Sequence, residues 1–387
     1  MISRRDFLAA TFGSLSLVSA MAAAARAPSY RRFLLLIELM GGNDGLNTIV
    51  PYGDPQYAKV RGDLAIKDSD VIKLEGGVLG LHPSLEPLHP LYLNSRMAVL
   101  QGVGLPWMTS GISKSHLEAH RASSLIADAS LGGGGWVARA GSIAGPKFEW
   151  TMLVPGVSFN CIDDGPLSGF GGMVTRHAPM RAEHELRKSS ILNEDAAKNV
   201  LDSISKVSLS GFEFPDSDFG RSMAMAARLV LQMHRGQVGY IPVIRVGLGS
   251  FDTHEDQLRT HANLLSDLAL GVRAFYDVMS KNAMVKRVLS MTYSEFGRSV
   301  KPNDRGGTEH GFASDQLLFG DGIYDGYHGR RVSLADASLG NDYSLDYRSI
   351  CSGILAEHLM VDAAPILGDV KRHGIYRFGD RVPNNFA

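Results

Sequence analysis

One apolar segment limits the folds open to this chain more than any other feature. It spans residues 32–39 (RFLLLIEL) and runs directly into a glycine-rich loop at 41–47 (GGNDGLN). A strand that is buried on both faces of a mainly parallel sheet has such a continuous apolar pattern. A strand with one face exposed to solvent instead alternates apolar and polar residues. The segment therefore predicts a strand inside a covered, mainly parallel sheet.

Further strands and helices alternate along the chain. Strands are predicted at 97–101, 240–247, 287–293 and 316–320, and helices at 83–96, 221–234 and 347–360. A long helix is predicted between the strands at 240–247 and 287–293, where leucines recur at spacings of three and four from Leu258 onward. This alternation predicts an α/β fold with a doubly wound, mainly parallel sheet. The Gly- and Pro-rich residues 130–220 predict an irregular excursion in the middle of the chain.

Composition narrows the class of protein. A chain of 387 residues with 44% hydrophobic content can bury a large core. Its net charge is −1, and the first 27 residues carry +2, which leaves about −3 on the rest. This balance, without a basic run, argues against a nucleic-acid partner. The two cysteines, Cys161 and Cys351, are compatible with a disulfide or with two buried free thiols, and they offer no thiolate zinc motif.

The N-terminus has the pattern of an export signal. Two adjacent arginines, Arg4 and Arg5, stand between Ser3 and an apolar run, as in twin-arginine signals. Small residues at 22–27 (AAAARA) predict a cleavage region. Residues 1–27 are therefore predicted to be a signal peptide read by the twin-arginine translocase, and 28–387 a single periplasmic or secreted domain. An uncleaved anchor helix is the alternative, and no later segment is apolar enough to span a membrane after cleavage.

Acidic and histidine residues follow the predicted strands where each strand ends. Because the carboxyl ends of parallel strands meet at one edge of a sheet, these side chains are expected to converge there. Carboxylates and imidazoles without thiolates suit a divalent metal of the Zn, Mn or Mg type, with Zn or Mn preferred. The predicted metal ligands are Asp44, Asp252, His254, Glu295 and His310.

Each of these residues also has a structural interpretation. Asp44 could cap the turn that follows it, and Asp252 could form an Asx turn beside an exposed His254. Glu295 could form a salt bridge with Arg298. The joint pattern at three strand ends favours a functional site over these separate explanations.

A second group, at 113–121 (SKSHLEAHR), opens a predicted helix. Ser115 at a helix start, with His116 beside it, would lie where the helix dipole favours an oxyanion or a bound anion. The structural alternative is an N-cap with Glu118 as its capping-box partner. Arg298 or Arg121 is predicted to clamp an anion bound there.

With these residues in place, the chain resembles the domain-of-unknown-function-1501 family of exported bacterial proteins, in the alkaline phosphatase-like (sulfatase-like) superfamily. The resemblance covers nearly the whole chain beyond the signal. It rests on GGNDGLNTIVPYGDPQY (41–57), LHPSLEPLHPL (81–91), QGVG (101–104), SHLEAHR (115–121), GSFDTHEDQ (249–257), YSEFGRSV (293–300) and GGTEHG (306–311).

The resemblance implies an alkaline phosphatase-like fold and a metal-dependent hydrolase. It implies that Asp44, Asp252, His254 and His310 hold metal and that Ser115 occupies the nucleophile's place. The sequence departs from the superfamily where a later Asp-His pair is expected, because 294–298 (SEFGR) stands there, and Asp252 and His254 are also closer in sequence than usual. One ion, two ions or none, and a non-catalytic periplasmic binding protein, therefore remain open.

Overall fold

The computed structural model describes residues 31–106, 136–137, 139–140, 151–154, 157–160, 202–237, 243–330, 334 and 343–377. Strands there are β1 (Phe33–Leu39), β2 (Ile49–Val50), β3 (Ile72–Lys73), β4 (Gly80–Leu81), β5 (Met97–Gly104), β6 (Thr151–Val154), β7 (Val157–Asn160), β8 (Val243–Leu248), β9 (Val288–Tyr293), β10 (Arg298–Pro302), β11 (Thr308–His310), β12 (Ser314–Gly320), β13 (Gly326–Gly329) and β14 (Leu345–Asp346). The α-helices are α1 (Gly45–Thr48), α2 (Pro55–Arg61), α3 (His89–Leu93), α4 (Asp218–His234), α5 (Gln257–Lys281), α6 (Tyr347–Gly353) and α7 (Ala364–Leu367). Short 3-10 helices span Gly62–Leu64, Pro83–Leu88 and Val285–Arg287, and a π-helix spans Ile354–Leu359.

The central sheet has the strand order β13-β5-β12-β9-β1-β8-β7-β6, and β14 pairs with the end of β5. β1 lies inside the sheet and is parallel to both of its neighbours, β8 and β9. β12 runs antiparallel to β9 and β5, and β7 runs antiparallel to β8. The described part of the molecule is therefore mixed α/β with a mostly parallel central sheet, as the sequence predicted.

Helices cover both faces of this sheet. The odd-numbered apolar residues of β1 pack with α4 and α5, and the even-numbered leucines pack with α6 and the π-helix that follows it. All seven residues of β1 are buried as a result. Full burial stabilises the fold by roughly 1.5–3 kcal/mol for each apolar side chain among them. The two cores explain why the sequence of β1 shows no polar alternation.

Two predicted helices differ from those observed. The single helix predicted at 83–96 is a 3-10 helix followed by the short α3, because Pro87 and Pro90 supply no backbone N–H for a continuous α-helix. The helix predicted at 347–360 changes from α to π after Gly353 and ends at Met360, whose φ of 59° closes the turn. Neither change alters the layer to which the segment belongs.

Several predictions fall on residues that the structure does not describe, namely the signal at 1–27, most of 130–220, and Cys161.

Cys351 is a buried free thiol. Among the described helices, none combines the length and the apolarity needed to cross a membrane.

Candidate metal site

Three predicted ligands meet beyond the carboxyl end of β8. Asp252 and His254 lie in the loop after β8, and His310 ends β11. His254 Nε2 is 3.0 Å from Asp252 Oδ1, His310 Nε2 is 3.1 Å from the same oxygen, and the two Nε2 atoms are 3.1 Å apart. Their side chains are 39%, 26% and 16% exposed for Asp252, His254 and His310, so solutes can reach them. We call these three residues the metal triad.

The spacing of the metal triad is compatible with a bound cation. A nearly equilateral triangle has corners of about 60°, so hydrogen bonds cannot run along all three edges with good alignment. Tetrahedral ligand atoms about 2.0–2.2 Å from Zn²⁺ lie roughly 3.3–3.5 Å from one another. The ligand atoms of the triad are within a few tenths of an ångström of that spacing, so these three residues could hold a metal ion.

Glycines let the segments around the triad approach closely. A Cβ on Gly41, whose φ is +115°, would lie 2.4 Å from the backbone nitrogen of Asp252. A Cβ on Gly307 would lie 2.2 Å from the carbonyl carbon of His254. Backbone bonds then join the segments, with Phe251 N donating to Met40 O at 3.0 Å. The loop that carries Asp252 and His254 is thus held between the end of β1 and the β10–β11 hairpin.

Arg298 holds Asp252 in place. Its side chain is fully buried, and Nη2 donates to Asp252 Oδ1 at 2.8 Å and to Phe251 O at 2.9 Å. Nε donates to Gly42 O, and Nη1 to Thr308 O. Burial lowers the pKa of Arg298, an effect that Asp252 opposes. The predicted anion clamp is therefore corrected, because every nitrogen of this guanidinium donates to the protein.

The two imidazoles have supporting partners. Phe296 stacks on His310 with ring centroids 4.4 Å apart and fixes the plane of that ring. Glu309 Oε2 is 3.2 Å from His254 Nδ1, on the side of the ring away from the triad. A hydrogen bond from Asn303 lowers the pKa of Glu309, so the carboxylate stays ionised beside His254. In the described part of the structure, His254 Nδ1 is buried and forms no hydrogen bond, so Glu309 acts on this ring through its charge.

Asp44 does not join the triad, contrary to the sequence prediction. Its carboxylate forms a buried ion pair with Arg61 and accepts a hydrogen bond from Gln257 Nε2. Burial lowers the pKa of the neighbouring His82 to about 4 and of His261 to about 3, so both imidazoles are neutral at pH 7. Arg61 is therefore the positive charge that balances Asp44, and the Asp44 carboxylate forms its contacts inside the protein rather than with the triad.

Glu295 is also placed outside the triad. Its Oε1 accepts a hydrogen bond from Gly41 N at 2.7 Å, and the residue is buried. It thereby ties the end of β1 to the loop after β9, which corrects its predicted role as a ligand. The remaining predicted site residues, Ser115 and His116, lie outside the described part of the chain.

The sequence analysis missed four residues that support the site. Glu309, Phe296 and Gln257 lie inside motifs quoted above, at 306–311, 293–300 and 249–257, so their proximity to the predicted ligands was a usable signal. Arg61 carries no such signal. Arg61 is 17 residues beyond Asp44 on α2, and only the tertiary fold brings the two charges together.

Comparison with known proteins adds a family match. The model of the family described as "Protein of unknown function (DUF1501)" matches residues 177–362, just under half of the chain. The matched segment contains the whole metal triad. The match supports the resemblance to that family, and its description assigns no activity. No curated protein matches this sequence.

Two solved structures show a weak likeness. A protein described as Ps i-CgsB is 11% identical, with a TM-score of 0.35 over 79% of this chain and 70% of that one. The lipoteichoic acid synthase LtaP from Listeria monocytogenes is 8% identical, with a TM-score of 0.35 over 92% of this chain and 76% of that one. At such scores neither likeness establishes a shared fold.

Proposed function

We propose that this protein binds one divalent cation, Zn²⁺ or Mn²⁺, at the metal triad and hydrolyses phosphate or sulfate esters. The observation that carries the proposal is the spacing of 3.0–3.1 Å among His254 Nε2, His310 Nε2 and Asp252 Oδ1. Two imidazoles and one carboxylate are a common ligand set for these ions. A set of three protein ligands, accessible to solvent, is typical of catalytic rather than structural sites.

The residues of the site have distinct proposed roles. A cation bound there supplies a Lewis acid that neutralises charge developing on an ester's oxygens. Asp252 is held by Arg298, so its carboxylate is preorganised for that cation. Ser115 is the proposed nucleophile, on the strength of the alkaline phosphatase-like resemblance, and a small anionic ester is the proposed substrate.

The pairing of Asp44 with Arg61 supports one ion over two. It also favours the second candidate function, a non-catalytic periplasmic binding protein with a reduced metal centre. Arg298 is occupied by protein acceptors as well, which leaves the described part of the site without an evident anion clamp. The fold alone does not decide between the two functions, so activity has to be measured.

An assay for ester hydrolysis distinguishes the proposed hydrolase from the binding protein. The purified protein, loaded with Zn²⁺ or Mn²⁺, is assayed with 4-nitrophenyl phosphate, bis(4-nitrophenyl) phosphate and 4-nitrophenyl sulfate. We expect hydrolysis of at least one ester, loss of activity with a chelator, and loss of activity without loss of metal in Ser115→Ala. A loaded protein that turns over none of them would favour the binding protein.

Removing either imidazole of the triad is expected to release the cation. His254→Ala or His310→Ala should weaken Zn²⁺ binding by more than the roughly ten- to hundred-fold typical of lost outer-shell partners. His234→Ala is the control, because His234 ends α4 near Arg31 and Arg287, beside the amino-terminal ends of β1 and β9. Titration calorimetry measures the affinities. Equal Zn²⁺ affinity in all three variants would show that the triad does not bind the cation.

Export is proposed to depend on the paired arginines of the signal. Replacing Arg4 and Arg5 by lysine keeps the charge but removes the guanidinium pair that defines the signal. We expect the precursor of this double variant to accumulate in the cytoplasm, as measured by fractionation and immunoblotting. Parental amounts in the periplasm would argue for a different route.

A further inference from the structure

One buried amide joins the two segments that carry the metal triad. Gln257, the first residue of α5, has no exposed surface. Its Oε1 accepts hydrogen bonds from Thr253 Oγ1 at 3.1 Å and from Thr308 Oγ1 at 2.6 Å. Thr253 lies between the two triad residues of the loop, and Thr308 is two residues before the third. The amide oxygen therefore contacts both segments within two residues of the ligands.

The other end of the amide is fixed by Asp44. Gln257 Nε2 donates to Asp44 Oδ2, and an ionised carboxylate only accepts, so the amide nitrogen has to face Asp44. The oxygen then has to face the two threonine hydroxyls, which donate to it. Asp44 is itself anchored by Arg61. The amide thus has one orientation, and its oxygen one position.

We propose that Gln257 and Asp44 are positioning residues for the metal triad. The amide sets the separation between the loop at 252–254 and β11, and with it the distance between His254 and His310. Asp44 then serves the cation through Gln257 rather than as a ligand. This inference rests on the metal site proposed above.

The physical reason lies in how the two segments meet. Thr308 N donates to Thr253 O at 3.2 Å, and Arg298 donates to Phe251 O and Thr308 O, so the amide is a further link at the point nearest the ligands. Metal ligands have to be placed within about half an ångström of the productive geometry by partners whose own positions are fixed. The shared amide oxygen supplies that fixed point, because it accepts from both segments at once.

A matched pair of variants at position 308 tests the inference. Thr308→Val keeps the shape of the side chain and removes the hydroxyl, whereas Thr308→Ser keeps the hydroxyl. Gln257→Met removes the amide and retains most of its volume. The probe is Co²⁺ alone, whose affinity is obtained by titration and whose visible absorption spectrum reports the ligand geometry.

We expect Thr308→Val and Gln257→Met to weaken Co²⁺ binding by about ten- to a hundred-fold and to alter the spectrum of the bound ion. Thr308→Ser should bind and absorb as the parent does. The double variant, with Gln257→Met and Thr308→Val, should bind no more weakly than Gln257→Met alone, because both changes remove the same link.

Asp44 is tested by exchanging both buried charges together. Asp44→Asn with Arg61→Met keeps an oxygen that can accept from Gln257 and leaves no unpaired charge. Asp44→Leu with Arg61→Met removes that acceptor as well. We expect Co²⁺ binding to weaken by about ten- to a hundred-fold in the Leu double variant and to be largely kept in the Asn double variant. Equal affinities in the two double variants would overturn the positioning role of Asp44.

The outcomes separate this inference from the proposed function. If the parent binds Co²⁺ while Thr308→Val and Gln257→Met lower the melting temperature but keep its affinity and spectrum, the amide is only structural and the inference fails. The metal site then stands. If the parent binds no divalent cation, the proposed function fails, and the inference that rests on it fails with it.

Discussion

Replacing Arg61 by methionine is expected to lower the free energy of unfolding by about 3–5 kcal/mol, the usual cost of leaving one partner of a buried ion pair alone. The Arg61 side chain has no exposed surface, and that of Asp44 is 1% exposed. Arg61 also donates to the carbonyl oxygens of Ser299 and Val300 in β10. Without Arg61, the Asp44 carboxylate would stay buried beside neutral imidazoles, and β10 would lose two hydrogen bonds to α2.

The control is the double variant with Arg61→Met and Asp44→Asn, which removes both charges. It should recover most of the lost stability, because a neutral pair leaves no charge uncompensated in the interior. Denaturant unfolding followed by circular dichroism measures both variants. A single variant as stable as the parent, or a double variant less stable than the single one, would contradict the account of this pair.

Acid is expected to destabilise the protein through three buried histidines. Burial lowers the pKa of His82 to about 4 and of His261 and His358 to about 3, from about 6.5 in the unfolded chain. At a pH between the folded and unfolded pKa of a histidine, the unfolded state binds a proton that the folded state does not. This histidine's contribution to the free energy of unfolding is therefore fully present above pH 6.5 and is lost as the pH falls. At pH 5 the loss is about 2 kcal/mol for each histidine.

His358→Gln isolates one of these contributions. His358 Nε2 lies 2.9 Å from Phe33 O, and Nδ1 lies 2.6 Å from the hydroxyl of Tyr376. Glutamine does not titrate, so the stability of this variant should fall less steeply between pH 6.5 and 5 than that of the parent. Unfolding midpoints measured across this range give the two slopes. Identical slopes would show that His358 does not couple folding to protons.

The sequence predicts the layers of the fold well because burial on both faces of a sheet produces an apolar pattern within a single segment of sequence. β1 is apolar throughout, and α5 repeats its leucines at helical spacing. The insertion of β12 between β9 and β5, antiparallel to both, leaves no such record, because the apolar pattern of a buried strand is the same in either direction. Strand order and direction therefore come only from tertiary structure.

The candidate site divides in the same way. Asp252, His254 and His310 were predicted together because each lies in or ends a segment that follows a strand, and the fold brings those segments to one edge. Asp44 satisfies the same rule, yet it pairs with Arg61, a residue of α2 whose approach no sequence spacing indicates. A strand-end rule identifies residues near a site, but the tertiary fold decides which of them come together: Asp252 meets two histidines beside Arg298, whereas Asp44 pairs with Arg61 in the interior.

Crystals of the protein grown with Zn²⁺ and measured on both sides of the zinc absorption edge test the central claim most directly. We predict a single anomalous peak for each chain at the metal triad, at about 2.0–2.2 Å from His254 Nε2, His310 Nε2 and an Asp252 carboxylate oxygen. An anomalous difference map with no peak at the triad, or with a peak whose ligands include Asp44, would contradict the claim.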